Sequence, residues 1–210
     1  MKRIAIDMDE VIADTLNTHV EWYNRDYQDE LTLAELHGRS LLDARPNARE
    51  AIESYYARED FFRQIKVMPH SQQVLQELSQ HYAIYITTAA MEVPASFRAK
   101  YEWLLEHFDF LDEMNFVFCG DKSIIRADYM VDDNVKQLQA FQGKGVLFTA
   151  PRNVHETRYV RVDNWLEARD WFMAELERAD ERMENAREEG QSADQTPCST
   201  ASISVEESAT

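Results

Sequence analysis

With 210 residues, of which 44% are hydrophobic, the chain can form one α/β domain with an insertion, or two small domains, and can bury a core. Its 39 acidic residues outweigh 22 basic ones, for a formal charge of −17, and without a local basic patch this argues against a nucleic-acid polymer as partner. No apolar run approaches the roughly 20 residues that span a bilayer. The charged opening MKRIAIDMDE argues against a secretory leader, and Cys119 and Cys198 make neither a disulfide framework nor a zinc site. The reading is a soluble, cytoplasmic, globular protein with a small ligand.

In chain order, Arg3–Asp7 (RIAID) is a short apolar run ending in charge, expected as a buried strand. Residues 14–27 carry Leu16, Val20, Tyr23 and Tyr27 at near-helical spacing. Thr32 with Glu35 has the spacing of a capping box. Asn47 with Glu50 resembles one and would open a helix through Ala51, Ile52, Tyr55 and Tyr56. Residues 71–81 form a helix with Val74, Leu75 and Leu78 on one face, followed by a buried strand over 83–87. Residues 96–108 are expected as a helix with Phe97, Tyr101, Leu104, Leu105 and Phe108 inward. Three further strands are expected at 115–118, 129–131 and 145–148, and a terminal helix over 163–187.

From residue 69 onward strands alternate with helices, which predicts an α/β fold, a Rossmann-like parallel sheet with helices on both faces. Residues 14–68 are helical and interrupt the alternation, so they read as a small helical cap inserted after the first strand. The expected organisation is a core of 1–13 and 69–173, the cap at 14–68, an acidic helical extension at 174–190 and a disordered tail at 191–210. Residues 174–210 hold 10 acidic and 3 basic residues, and the last twenty have too few apolar groups to offset the entropy of ordering.

In parallel sheets ligands bind beyond the carboxyl ends of the strands. There the sequence sets Asp7-Met8-Asp9, then Thr87-Thr88, then Lys122 just past Cys119-Gly120-Asp121, then Asp132-Asp133-Asn134. Each piece alone has a bland reading as turn, cap or solvated charge; their shared placement at one sheet edge is the specific signal. Converging carboxylates repel, and an all-oxygen set suits Mg²⁺. A lysine and threonine hydroxyls suit phosphate oxygens. Trp22, Tyr23, Tyr55, Tyr56, Phe61 and Phe62 in the cap could stack on a base, although rings at helical spacing more often form a core. Gly38-Arg39-Ser40 is a further candidate contact. His19, His37, His70, His81, His107 and His155 show no ligand spacing.

This order of motifs resembles the haloacid dehalogenase-like phosphohydrolase superfamily. Within it, IAIDMDEVIAD, Phe61-Phe62 before Met68-Pro69, ITT, GDK and ADYMVDDN resemble the 5'(3')-deoxyribonucleotidase family over residues 3–150. The resemblance implies a Mg²⁺-dependent phosphomonoesterase acting on nucleoside monophosphates, with deoxyribonucleotides foremost. It implies Asp7 as nucleophile, Asp9 as acid and base, and Lys122 as the neutralising catalytic cation. Thr87, Thr88 and Lys122 would bind the phosphoryl group. Asp7, Asp9 (through its backbone carbonyl), Asp132 and Asp133 would hold the metal. The expected partner is a small phosphomonoester, with no nucleic-acid polymer and no membrane; a homodimer is compatible with the sequence. Two departures stand out: Glu10 where the family usually has glycine, and Ala89 where it often has proline. A phosphatase for a sugar phosphate or other small metabolite keeps the same chemistry. A non-enzymatic receiver-like phospho-acceptor would need neither Asp9 nor a cap.

Overall fold

The computed structural model describes residues 1–193; the tail expected from 191 onward lies outside them except for its first three residues. Residues 1–170 make one compact unit and a second begins at Trp171. In chain order the strands are β1 (Arg3–Asp7), β2 (Ala13–Asp14), β3 (Lys66–Val67), β4 (Ala83–Thr88), β5 (Phe116–Phe118), β6 (Tyr129–Asp132), β7 (Lys144–Phe148) and β8 (Val160–Val162). The helices are α1 (Thr15–Tyr27), α2 (Leu41–Ala44), α3 (Arg49–Tyr55), α4 (Glu59–Arg63), α5 (Ser71–Leu78), α6 (Phe97–His107), α7 (Val135–Ala140) and α8 (Trp165–Ala193).

Six strands pair in the order β5-β4-β1-β6-β7-β8, all parallel. An apolar run buried on both faces is what a central parallel strand requires: Ile4, Ala5 and Ile6 of β1 are wholly buried. Ala5 packs with Met130, Leu138, Phe141 and Leu147 into one core cluster. The chain moves from β1 to β4 and β5 on one side, then crosses to β6, β7 and β8 on the other. The reversal puts a topological switch point beside β1, where such sheets open a crevice.

The expected α/β architecture is present, with differences in detail. β8 adds to the expected strands: VRV beside Arg158 reads as a charged loop, and only its register with β7, Val146 to Val160 and Phe148 to Val162, makes it an edge strand. β2 and β3 are two-residue strands, too short for any periodicity. They pair Ala13 with Val67 and Asp14 with Lys66, joining the two ends of the intervening helical segment. Asn47 does not cap a helix: Pro46–Ala48 is a 3-10 turn led by proline, and α3 begins at Arg49 after Ala48. The Thr32–Glu35 box does form. Last, α6 is turned relative to the expected face. Ala99, Lys100, Trp103 and Leu104 are buried while Tyr101 and Leu105 are exposed. Trp103 donates to the Ile65 carbonyl at 2.9 Å, and Lys100 is drawn inward by acceptors on the strands.

Between β2 and β3 the helices enclose their own apolar cluster of Val20, Tyr23, Leu31, Leu36, Leu41, Ala48 and Ile52. Among the described residues no helix is long and apolar enough to cross a membrane.

Candidate active site

Three neighbouring strands end level with one another. Asp7 of β1 is in register with Thr87 of β4, and Asp132 follows Val131, the partner of Ile6. The chain turns sharply after Asp7. The amides of Ile12 and Ala13 both donate to the Met8 carbonyl, at 3.0 and 2.9 Å, and Glu10 N donates to Ala13 O at 2.8 Å. Glu10 sits at φ 62°, in the left-handed region that favours glycine. What holds a glutamate there is its carboxylate, which accepts from Leu16 N at 2.6 Å at the start of α1. Burial, then the nearby charge of Asp133, pushes that carboxyl well above its ordinary range.

Asp7, Asp132 and Asp133 each offer one oxygen within 4.8 Å of the others, and all three are buried. Lys122, in a 3-10 turn after β5, bonds Asp7 and also Asp132, the latter at 2.7 Å. Arg152 grips Asp133 through two bonds of 2.6 and 2.7 Å. Asn134 N donates to Asp132 at 2.7 Å, and Asn153 Nδ2 holds the Asp133 carbonyl at 2.9 Å. Burial raises the Asp7 carboxyl to about 7 against the pull of Lys122, and it raises Asp133 to about 6 against Arg152. For Lys122, burial opposes the charge, but Asp7 and Asp132 outweigh it and the ammonium is held above its ordinary value. Three buried carboxylates therefore share two cations. A small divalent ion with oxygen ligands fits that donor set and its surplus of negative charge.

Asp9 stands apart from this cluster. Its carboxylate accepts from Lys100 and from Thr15 Oγ1 at 2.8 Å. Burial works to raise it, yet the charge and hydrogen bond of Lys100 hold it below the usual carboxylate range. Lys100 also donates to Thr88 Oγ1 at 3.1 Å. Thr87 is fully buried, and its hydroxyl donates to the Ile6 carbonyl at 3.3 Å.

A cavity of about 310 Å³ opens over these groups. Asp7, Asp9, Lys122 and Asp132 line its floor with Lys100 and Arg152, while His19, Arg39, Ser40, Tyr56 and Phe62 line it from the helical segment. Thr87, Thr88 and Asp133 are buried and stand outside that lining. Trp22, Tyr55 and Phe61 are interior rings, packed edge-to-face at 5.3 Å (Trp22–Tyr55) and 5.2 Å (Trp22–Phe61). Gly38, at φ +75°, could not take a side chain without meeting His155 at 2.9 Å; it shapes the turn that presents Arg39 and Ser40.

Three residues of the site escaped sequence reasoning. Lys100 and Arg152 lie in no motif, and only folding sets them against Asp9 and Asp133. His19 shows no ligand spacing in the sequence. Its clue was its position four residues beyond Thr15, on the same face of α1.

His19 is 4% exposed and its Nε2 has no hydrogen-bond partner. Burial lowers its pKa to about 4, against the attraction of Asp9. The unfolded chain would take up this proton near 6.5 and the folded one only near 4, so the stability is present above 6.5 and is lost as pH falls toward 4. Replacing His19 by Phe is expected to remove about 3 kcal/mol of this acid sensitivity. Urea unfolding of both proteins at pH 7, 5.5 and 4 measures it; parallel pH slopes would show that His19 contributes none.

The family model described as "5' nucleotidase, deoxy (Pyrimidine), cytosolic type C protein" matches residues 1–177. The 5'(3')-deoxyribonucleotidase of Bacillus subtilis is 41% identical over 169 residues, 79% of this chain and 95% of that protein. A Staphylococcus epidermidis protein given the same name provisionally is 49% identical over 171 residues, 81% of this chain and 96% of that protein. Among solved structures, a haloacid dehalogenase-like hydrolase of Streptococcus pneumoniae superposes with a TM-score of 0.55 at 16% identity. That match covers 82% of this chain and 98% of the other, a likeness of fold.

Proposed function

The chain belongs to the 5'(3')-deoxyribonucleotidase family of cytosolic type C nucleotidases, and from that membership we propose a Mg²⁺-dependent phosphomonoesterase that acts on nucleoside monophosphates, deoxyribonucleotides foremost. The observation that carries the reading is the meeting of Asp7, Lys122 and Asp132 on the floor of one cavity with Asp9 beside them.

In this proposal Asp7 attacks phosphorus in line. Its Oδ–P bond forms as the P–O bond to the leaving alcohol breaks, leaving an aspartyl-phosphate. Asp9 gives the leaving oxygen its proton, then takes one from the water that cleaves the acyl phosphate. Asp9 is ionised in the free site, which suits the second step. For the first, the negative charge of a bound phosphate raises its affinity for a proton. Lys100 positions the carboxylate and limits that rise. Lys122 neutralises the nucleophile and the transferring group. Thr87 and Thr88 support the phosphoryl site from behind its lining, at the β4 terminus, through their bonds to the Ile6 carbonyl and Lys100. Asp7, Asp132, Asp133 and the Asp9 backbone carbonyl would hold Mg²⁺, which when bound supplies charge neutralisation at the phosphoryl oxygens.

The helical segment over 14–68 serves as the cap and meets the leaving group. Of the rings weighed from sequence, Tyr56 and Phe62 line the cavity, so they are the stacking candidates, whereas Phe61 is core. Alanine at Tyr56 or Phe62 is expected to cost about 1–3 kcal/mol in nucleotide kcat/KM, by analogy with base stacking. Hydrolysis of p-nitrophenyl phosphate should fall far less. Equal losses on both substrates would reduce the cap to a lid.

The reading as a whole is tested by a panel of 5'- and 3'-nucleotides and sugar phosphates assayed with Mg²⁺ and with a chelator. Deoxyribonucleotides should lead and the chelator should silence the enzyme. A sugar phosphate at the head of the panel would overturn the nucleotide assignment. The match to a family described as cytosolic supports a cytoplasmic location.

A further inference from the structure

We infer that His19 is a specificity-determining residue, its free Nε2 accepting a hydrogen bond from a hydroxyl or N–H donor on the nucleoside half of the substrate. The inference rests on the nucleotidase reading above and adds to it a recognition contact.

Among the described residues, His19 Nε2 is the one buried side-chain nitrogen or oxygen without a partner. A buried polar atom left unmatched in a native fold calls for an explanation, and the His19 side chain that carries it lines the cavity that holds Asp7 and Asp9. The Thr15 backbone already bonds the ring, and the rings of Phe61 and Tyr56 hold it at centroid distances of 4.4 and 4.6 Å. The imidazole is thus fixed in orientation and neutral, with the Nε2 lone pair unmatched.

That lone pair selects the kind of group it can meet. A phosphate dianion offers only acceptors and would be repelled. A sugar hydroxyl or a base N–H offers the missing donor. Position along α1 agrees. Thr15, whose hydroxyl donates to Asp9, lies one helical turn before His19, about 6 Å along the axis. Asp9 is the group proposed to protonate the leaving oxygen, so His19, one turn on, lies on the side of the cavity that would take what that oxygen carries. A site built to bond a donor discriminates against an analogue lacking it, because the acceptor is then left unpaired.

The test uses three substrates: the deoxyribonucleoside 5'-monophosphate best hydrolysed in the panel, its 3'-deoxy analogue, and an analogue whose base N–H groups, ring or exocyclic, are fully methylated. For the wild-type protein, kcat/KM should drop about tenfold or more for at least one analogue. Which one drops separates the sugar hydroxyl from the base N–H as the donor. His19→Phe keeps a ring against Phe61 and Tyr56 but has no acceptor, and it should bring the parent-to-analogue ratio close to one. His19→Gln retains an acceptor and should recover part of the ratio; His19→Leu is a second acceptor-free variant should Phe not fold. Discrimination that persists in the acceptor-free variants, or a wild-type protein that distinguishes neither analogue, overturns the role of His19. A wild-type protein that hydrolyses no nucleotide faster than p-nitrophenyl phosphate defeats the nucleotidase reading first, and this inference with it.

Discussion

Replacing Asp7 by Asn is expected to lower turnover by at least about 10³-fold on every phosphomonoester, since an amide cannot form the aspartyl-phosphate. The change is nearly isosteric, and the fold should tolerate it. Asp7 sits in a crowded acidic pocket, where burial and the neighbouring Asp132 and Asp9 charges raise its carboxyl to about 7. A neutral side chain removes that repulsion while Lys122 keeps its 2.7 Å bond to Asp132. Melting should therefore move by only a few degrees as turnover collapses. Activity within tenfold of wild type, with deamidation excluded by mass spectrometry, would remove Asp7 from the nucleophile's role.

The second large effect is expected at Lys122. Its ammonium is 1% exposed and bonded to two buried carboxylates. Lys122→Met strips the charge but keeps much of the chain's volume. Loss of an electrostatic donor of this kind typically costs about 10²- to 10³-fold in turnover. Nucleotides and p-nitrophenyl phosphate should suffer alike, because the lysine meets only the phosphoryl group. Stability should fall too, by about 3–5 kcal/mol in chelator, where Asp7 and Asp132 lose their shared counterion. Added Mg²⁺ should restore part of that loss in urea melts. A variant that loses nucleotide activity alone would place Lys122 in recognition of the leaving group instead.

The contrast between these variants and those of the cap follows from where each residue lies. Chemistry at the sheet edge touches a group common to all phosphomonoesters. Tyr56, Phe62 and His19 line the same cavity from the helical segment, the side on which the proposed mechanism sets what differs between substrates. Glu10 links the two regions. Its left-handed backbone and its bond to Leu16 N tie the loop that carries Asp9 to the start of α1.

Much of this arrangement is legible in the residue string, for a local reason. A buried parallel strand must be a short apolar run, and RIAID, AIYITT and YMVD are such runs, each closed by a polar residue. Parallel pairing brings their carboxyl ends to one edge, so Asp7, Thr87 and Asp132 follow from pattern alone. The capping box at Thr32 and Glu35 is equally local, a matter of three-residue spacing.

Other features depend on distance in the chain and became visible only in three dimensions. Lys100 reads as a surface residue on α6, yet an acidic group 91 positions earlier turns it inward, beside Trp103 and the expected Leu104, while Tyr101 and Leu105 are left exposed. Arg152 lies 19 residues from Asp133 in a loop without periodicity, and only the neighbouring ends of β6 and β7 bring the two together. β8 exists through its register with β7, and β2 through a partner more than fifty residues away. Periodicity and strand-end chemistry are properties of adjacent residues, so sequence determined the sheet and its acidic edge. Counterion pairing, the division of the aromatic residues between core and cavity wall, and the unpaired nitrogen of His19 depend on contacts between distant segments, which only the tertiary structure decides.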